Sequence, residues 1–150
     1  MNELYQSLPP AVCQELSRLE EQATVPAGTK LIREGVTPDH LIAIERGSVE
    51  ISVPAGENVI SLSAAGQGKV LGLRSIIAGA LPEFEATTLE ECRISSISRQ
   101  DFLEVLKRHP EMYLAISKVL SADLHAAQRL LRETPRMANR GQRSPDGVIC

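Results

Sequence analysis

The chain has 150 residues, of which 43% are hydrophobic, and this suffices for the core of one ordinary domain with a tail. Its net charge is −3; up to Leu131 it holds 12 basic and 17 acidic residues, so this part carries −5 and does not attract nucleic-acid phosphates. No apolar run is long enough to cross a bilayer and no secretory signal opens the sequence, which predicts a cytoplasmic protein that binds neither membrane nor nucleic acid.

The first predicted element is a short amphipathic helix. It follows the prolines at positions 9 and 10, which suit a helix entrance. Val12, Leu16 and Leu19 then recur at four- and three-residue steps, the period of a helix with one apolar face. This pattern predicts a helix that ends near Ala23.

From Val25 onward, glycines separate short runs rich in β-branched residues. The runs are strand-sized and partly alternate between apolar and polar residues. They fall at 30–33, 40–45, 48–53, 59–62, 86–89 and 93–97. Several short strands about ten residues apart predict an antiparallel roll or sandwich. Between them, a short helix is predicted at 73–78, ending at Gly79.

The helical period returns after Ser98, which can cap a helix carrying Phe102, Val105 and Leu106. His109 precedes a proline, which interrupts this helix. A longer helix is then predicted from position 111 to about 132.

The apolar residues of this last helix step by sevens, fours and threes, as in the seam of a coiled coil. They are Tyr113, Leu120, Leu124, Ala127 and Leu131. We expect the last four to form a homodimer interface, with the small Ala127 allowing close approach of two backbones. The alternative is that this face packs on the strands of its own chain. The residues from 133 to 150 show no periodicity and are expected to form a flexible tail.

No reactive side chain lies in a recognisable catalytic or metal-binding motif. The cysteines Cys13, Cys92 and Cys150 are scattered without the spacing of metal ligands. An odd number of cysteines in a cytosolic protein indicates reduced thiols. The three histidines also lie outside any nucleophile or metal motif. The sequence therefore predicts a protein that is not an enzyme and carries no cofactor.

Three segments share a framework of glycines, at 25–35, 38–49 and 68–73, and a strand-to-helix junction follows at 99–103. Gly28, Gly35 and Gly47 are expected at tight turns, which often need a positive φ. Together these segments resemble the cyclic nucleotide-binding domain family, and most closely the sensor domains of bacterial regulators of the cyclic-AMP receptor and fumarate–nitrate reduction type. The resemblance covers about Leu8 to Leu131, without the DNA-binding domain of those regulators.

This resemblance implies a mainly β fold. The expected architecture is an antiparallel double-stranded β-helix, or jelly-roll barrel, with an N-terminal helix and a long C-terminal helix. The sensor domain would take residues 1–132, including the dimer helix, and the tail residues 133–150. In the family, the segment resembled by 68–73 opens a phosphate-binding cassette, in which a helix start offers backbone N–H groups to a cyclic phosphate.

The cassette departs from the family at two positions. The family has a glutamate after the cassette glycine, which holds the ribose hydroxyl, but here Leu73 follows Gly72. The family's phosphate-pairing arginine aligns with Phe84 or an adjacent acid. Two unit charges about 4 Å apart interact by roughly 4 kcal/mol near a protein surface, and a carboxylate reverses the sign. Ordinary cyclic-AMP binding is therefore disfavoured, and Arg74 is the only nearby replacement cation.

The sequence thus predicts a regulatory domain that senses a small ligand or nucleotide through a degenerate cassette. The candidate ligand-binding residues are Val70, Gly72, Leu73, Arg74, Ser75, Phe84, Glu85, Ala86 and Thr87. Three alternatives stay open. The chain could be a ligand-free protein-interaction or dimerisation module, or the sensor half of a transcription regulator, since 133–150 is too short for a helix-turn-helix domain. It could also hold haem, with His40, His125 or Cys92 as an axial ligand.

Overall fold

The computed structural model describes the backbone of residues 2–133 and the side chains of residues 2–125. Apart from Glu133, the predicted tail lies outside the described residues. Within this part, a 3-10 turn (Tyr5–Ser7) precedes four α-helices and eight strands. In chain order these are α1 (Pro10–Leu19), β1 (Glu21–Val25), β2 (Lys30–Ile32), β3 (His40–Arg46), β4 (Val49–Ala55), β5 (Asn58–Ala65), β6 (Val70–Leu71), α2 (Leu73–Ala78), β7 (Glu85–Thr88), β8 (Cys92–Ser98), α3 (Arg99–Arg108) and α4 (Met112–Glu133).

The strands form two four-stranded sheets. One has the order β1-β8-β3-β6 and the other β2-β7-β4-β5, and every pairing is antiparallel. Sequence neighbours are rarely sheet neighbours, which is typical of a jelly roll. The predicted fold, a mainly β barrel with an N-terminal helix and a long C-terminal helix, is confirmed.

The predicted end of the first helix is wrong. The helix α1 ends at Leu19, and Glu21–Val25 form the strand β1 instead of a further helical turn. The strand pairs over its whole length with β8, from Glu21 opposite Ser96 to Val25 opposite Cys92. The pairing partner lies some seventy residues away, so the local sequence does not indicate it. The strand also lacks an apolar alternation, because four of its five residues are exposed.

The interior consists of two apolar clusters. The first lies between the sheets and is called here the roll cluster: Ile32, Ile42, Ile44, Val49, Ala65, Leu71, Ala86, Cys92 and Ile94, with Val25, Leu31, Ile51 and Phe84 packed against it. The second lies under the helices and is called the helix cluster. It contains Leu4, Tyr5, Leu8, Val12, Leu16, Leu41, Ala43, Val70, Leu73, Ile76, Ile97, Phe102, Val105, Leu106, Met112, Ala115, Ile116 and Val119.

The strand β3 separates the two clusters. Leu41 and Ala43 face the helix cluster, whereas Ile42 and Ile44 face the roll cluster. A strand buried on both faces needs an apolar run and not an alternation, which explains the sequence of β3.

The structure contains the turns and the helix cap that the sequence predicts. Gly28, Gly35 and Gly47 have φ of 85°, 74° and 107°, as expected at tight turns. At Gly47 a second constraint applies, because a Cβ there would lie 2.5 Å from Cys92 Sγ. The predicted cap of α3 is present, since the Ser98 hydroxyl accepts from the Asp101 N–H at 3.1 Å.

Candidate ligand-binding site

The cassette begins at β6, turns at Gly72 and continues into α2. Gly72 has a φ of 92°, and a Cβ there would lie 3.4 Å from the His40 carbonyl oxygen. Within the described residues, no side chain caps the start of α2, and its first hydrogen bond runs from Ile76 N–H to Gly72 O at 3.1 Å. Gly79 ends the helix with a φ of 71°, as the sequence predicts. The first-turn N–H groups of α2 are thus left without a side-chain acceptor.

Leu73, at the position predicted to correspond to the family's ribose-binding glutamate, is a core residue. Its side chain is 3% exposed and belongs to the helix cluster, together with Val70 and Ile76. The same cluster holds the buried face of α4, including Ile116 and Val119. Leu73 therefore does not fill the roll interior; it packs the cassette onto the helices.

The two residues after Leu73 differ in exposure. Arg74 is exposed on α2, and the described residues give it no ion pair. Ser75 is 7% exposed, and its backbone carbonyl accepts from Gly79 N–H at 2.9 Å. Arg74 is therefore exposed to solvent on α2, whereas Ser75 is part of the helix packing.

The strand β7 presents apolar residues to the roll interior. Ala86 is fully buried in the roll cluster, and Phe84 packs against it. Glu85 and Thr87 alternate with them and lie on the other face, where both contact Lys30. The Lys30 Nζ lies 2.8 Å from Glu85 Oε1 and 3.4 Å from Thr87 Oγ1. This pairing lowers the pKa of Glu85 and keeps its carboxylate outside the roll.

The nine candidate residues therefore do not share one surface. Phe84 and Ala86 reach the roll interior, and there they meet Leu71, Ile32 and Ile42, which the sequence analysis missed. The sequence gives no clear signal for them, since Ile42 lies in an apolar run and Leu71 in a two-residue strand, where periodicity cannot assign a face.

An open groove lies beside the cassette turn, formed by β2, the loop after it and the start of β3. Its volume is about 220 Å³, below the roughly 300–1,000 Å³ of most ligand pockets. Ile32, Pro38 and His40 line it and also supply the atoms nearest to Gly72. Its charged residues have both signs, with Arg33 and Asp39 on the loop.

The loop that forms this groove is hydrogen-bonded on both sides. Gly35 N–H donates to Pro82 O at 2.9 Å, at the end of the cassette, and Arg99 N–H donates to Asp39 O at 2.8 Å, at the start of α3. The loop thus connects the cassette with the first helix after the barrel.

The predicted dimer seam runs along α4 beside its buried face. Tyr113 and Leu124 are 53% and 57% exposed. Leu120 is partly buried and packs against the helix cluster of its own chain. Ala127 and Leu131 fall within α4, but their side chains lie outside the described residues. One residue of the seam therefore joins the chain's own core, and the interface itself stays a prediction.

The three candidate haem ligands have different surroundings. His40 and His125 are exposed. Cys92 is 1% exposed in the roll cluster, and burial raises the pKa of its thiol. In residues 2–125, no three His, Cys, Asp or Glu side chains come together as ligands for a metal ion.

Among the described residues, no helix is long and apolar enough to cross a membrane.

Comparison with known proteins identifies relatives. Over 109 residues, the chain is 29% identical to a cyclic nucleotide-gated potassium channel of Mesorhizobium japonicum, an alignment that covers 73% of this chain and 29% of the channel. The structure resembles the Thermus thermophilus catabolite activator protein with a TM-score of 0.75 and 19% identity, over 89% of this chain and 63% of that protein. It resembles a cyclic nucleotide-binding-like protein from Brucella abortus with a TM-score of 0.62 and 27% identity, over 69% of this chain and 90% of that protein.

The chain thus spans less than two thirds of the channel and of the activator. Residues 22–109, more than half of the chain, match the cyclic nucleotide-binding domain. This match includes all of α2, α3 and seven of the eight strands, and it includes β1 from its second residue. The chain therefore belongs to the cyclic nucleotide-binding domain family, whose domains are regulatory rather than catalytic.

Proposed function

We propose that this chain is a non-enzymatic sensor domain that disfavours ordinary cyclic AMP and signals the binding of another small ligand through α4. One observation carries the proposal: Leu73, at the position of the family's ribose-binding acid, is buried in the cluster that packs the cassette onto α4. In this proposal, the residue at this position packs the cassette onto α4 but cannot bind the ribose of a cyclic nucleotide.

The electrostatics of the roll interior support the loss of cyclic-AMP binding. The family's arginine is predicted to align with Phe84 or an adjacent acid; Phe84 packs against the roll cluster, and the adjacent Glu85 is engaged by Lys30 on the other face. An arginine–phosphate pair near the surface is worth roughly 4 kcal/mol, which corresponds to about a thousandfold in affinity. Arg74 offsets part of this loss only if its exposed side chain folds back over the start of α2.

The link from the cassette to α4 supports the signalling part. Leu73 and Ile76 share one cluster with Met112, Ile116 and Val119. A packed interior does not deform continuously, so a shift of α2 must be met by a shift of α4 or by voids. A ligand with different affinity for the two arrangements would change their populations. The predicted homodimer, formed through Leu120, Leu124, Ala127 and Leu131, would transmit that change.

The test is a titration of the purified protein with cyclic AMP, cyclic GMP, cyclic dinucleotides and haem, followed by thermal unfolding. A ligand at a hundred times its dissociation constant stabilises by about 2.7 kcal/mol, which is several degrees for a domain of this size. We expect no shift with cyclic AMP. A clear shift that Arg74→Gln abolishes would show that Arg74 replaces the missing arginine, and would refute the first half of the proposal.

A second candidate is a ligand-free interaction module, favoured by the apolar filling of the roll. Ile32, Ile42, Leu71 and Ala86 are each at most 9% exposed between the sheets. This candidate predicts no shift with any compound, together with a dimer in sedimentation equilibrium. The same domain could serve as the sensor half of a longer transcription regulator, and a cytoplasmic location stays a prediction from the sequence.

A further inference from the structure

The segment before the first helix lies along the free edge of β6. Glu3 N–H donates to the Gly68 carbonyl at 2.8 Å, and Glu3 Oε2 accepts from Val70 N–H at 2.8 Å. The next residues, Leu4 and Tyr5, are buried in the helix cluster. Glu3 is thus held by its backbone and its side chain at the residues that lead into the cassette.

Lys69 lies between these two hydrogen bonds and extends its side chain to α4. Its backbone is fixed to β3, since Ile44 N–H donates to Lys69 O at 3.0 Å. Its Nζ lies 3.7 Å from Glu3 Oε2 and forms a shorter ion pair with Asp123. The three side chains are only 25–35% exposed. Burial raises the pKa of Glu3, and the Val70 hydrogen bond and the Lys69 charge oppose that rise.

Asp123 lies one turn after the last buried residue described in α4. One turn earlier, Val119 is 5% exposed and Leu120 is half-buried. Immediately after it, Leu124 is 57% exposed and His125 is also exposed. The ion pair with Lys69 therefore acts on α4 beyond its apolar packing.

We propose that Glu3, Lys69 and Asp123 form a polar bridge that couples the cassette entrance to the distal half of α4. Lys69 precedes Gly72 by three residues on a fixed backbone, so a displacement of the entrance moves Nζ relative to Asp123. Among the described side chains of α4, apolar packing extends only up to Leu120, so without the bridge we expect the turns that follow to open more often. The bridge itself does not depend on the proposed function; only the view that a ligand moves it rests on that proposal.

The test is hydrogen–deuterium exchange on the full chain without ligand. In Asp123→Asn, we expect exchange to accelerate about two- to fivefold in residues 120–133, the effect of losing one partly exposed ion pair. Lys69→Met should have the larger effect, because it leaves two carboxylates facing each other. Exchange in residues 68–78 should accelerate in both variants. Lys118→Gln on the same helix and Glu104→Gln on α3 are exposed controls and should change neither segment.

Unchanged exchange in residues 120–133 of Asp123→Asn would overturn the bridge. Faster exchange there, with residues 68–78 unchanged, would overturn the coupling and leave only a local contact. The double variant Glu3→Gln with Asp123→Asn adds a further check, because two residues that act through Lys69 must be non-additive. Since no ligand is present, a failure of the ligand titration leaves this result intact, and the reverse also holds.

Discussion

Replacing Leu73 by glutamate introduces the residue that the family resemblance implies after the cassette glycine, yet we expect it to destabilise this protein severely. Leu73 is 3% exposed in the helix cluster. Truncating such a leucine to alanine costs about 2–5 kcal/mol. The introduced carboxylate adds the cost of burying a charge without a partner, several kcal/mol more. The sum approaches the roughly 5–15 kcal/mol that stabilises a domain.

The assay is urea unfolding at several pH values. Burial raises the folded-state pKa of the introduced carboxylate above its unfolded value of about 4.3, so the penalty should grow as the pH rises above that value and fade below it. Leu73→Met keeps the volume and should cost less than about 1.5 kcal/mol. Leu114→Glu, at a position that is 66% exposed, should stay within about 0.5 kcal/mol of the wild type. If Leu73→Glu were as stable as Leu114→Glu, Leu73 would not be the packing link between the cassette and α4.

Three further changes have defined outcomes in urea unfolding. Gly47→Ala should cost at least about 1–3 kcal/mol, because φ is 107° and a Cβ would meet Cys92 Sγ at 2.5 Å. Ser98→Ala should cost about 1 kcal/mol through loss of the α3 cap. Burial and the bond to Glu20 raise the pKa of Tyr5, so wild-type stability should fall as the pH rises above the unfolded value of about 10, and Tyr5→Phe should lack this loss.

Each of these predictions has a matched control in the chain. Gly66→Ala adds a methyl group whose nearest non-neighbouring atom is 4.0 Å away, and Gly66 has no positive φ. Ser117→Ala removes a hydroxyl from an exposed position of α4. Tyr113→Phe removes a phenol that is 53% exposed. A control that costs as much as its partner variant would contradict the cause assigned to that variant.

The strands and their turns could be predicted because the determining information is local. Positive-φ glycines and β-branched runs mark the roll wherever a strand must turn back. The strand β1 could not be found in this way, since Glu21–Val25 are mostly exposed and owe their conformation to β8. The two-residue strand β6 was also missed, because it is too short to show a period.

The candidate site was harder to predict than the fold, because a sequence gives the order of residues and not the face that each one takes. Glu85 and Ala86 are neighbours, but one pairs with Lys30 outside the roll and the other is buried within it. From the sequence, Leu73 is interpreted as the loss of a ligand contact. In the structure, it is a core residue. Only the pairing of β7 with β2 and β4 assigns these faces.

The segment from Val70 to Leu73 joins the two apolar clusters of the domain. Val70 and Leu73 belong to the helix cluster, whereas Leu71 between them belongs to the roll cluster. Gly72 disfavours any side chain between these two packings, because its φ is 92°. Any change of packing around Leu71 must therefore displace a backbone that also carries Val70 and Leu73. The connection from the roll to α4 thus depends on apolar packing on both sides of a glycine turn.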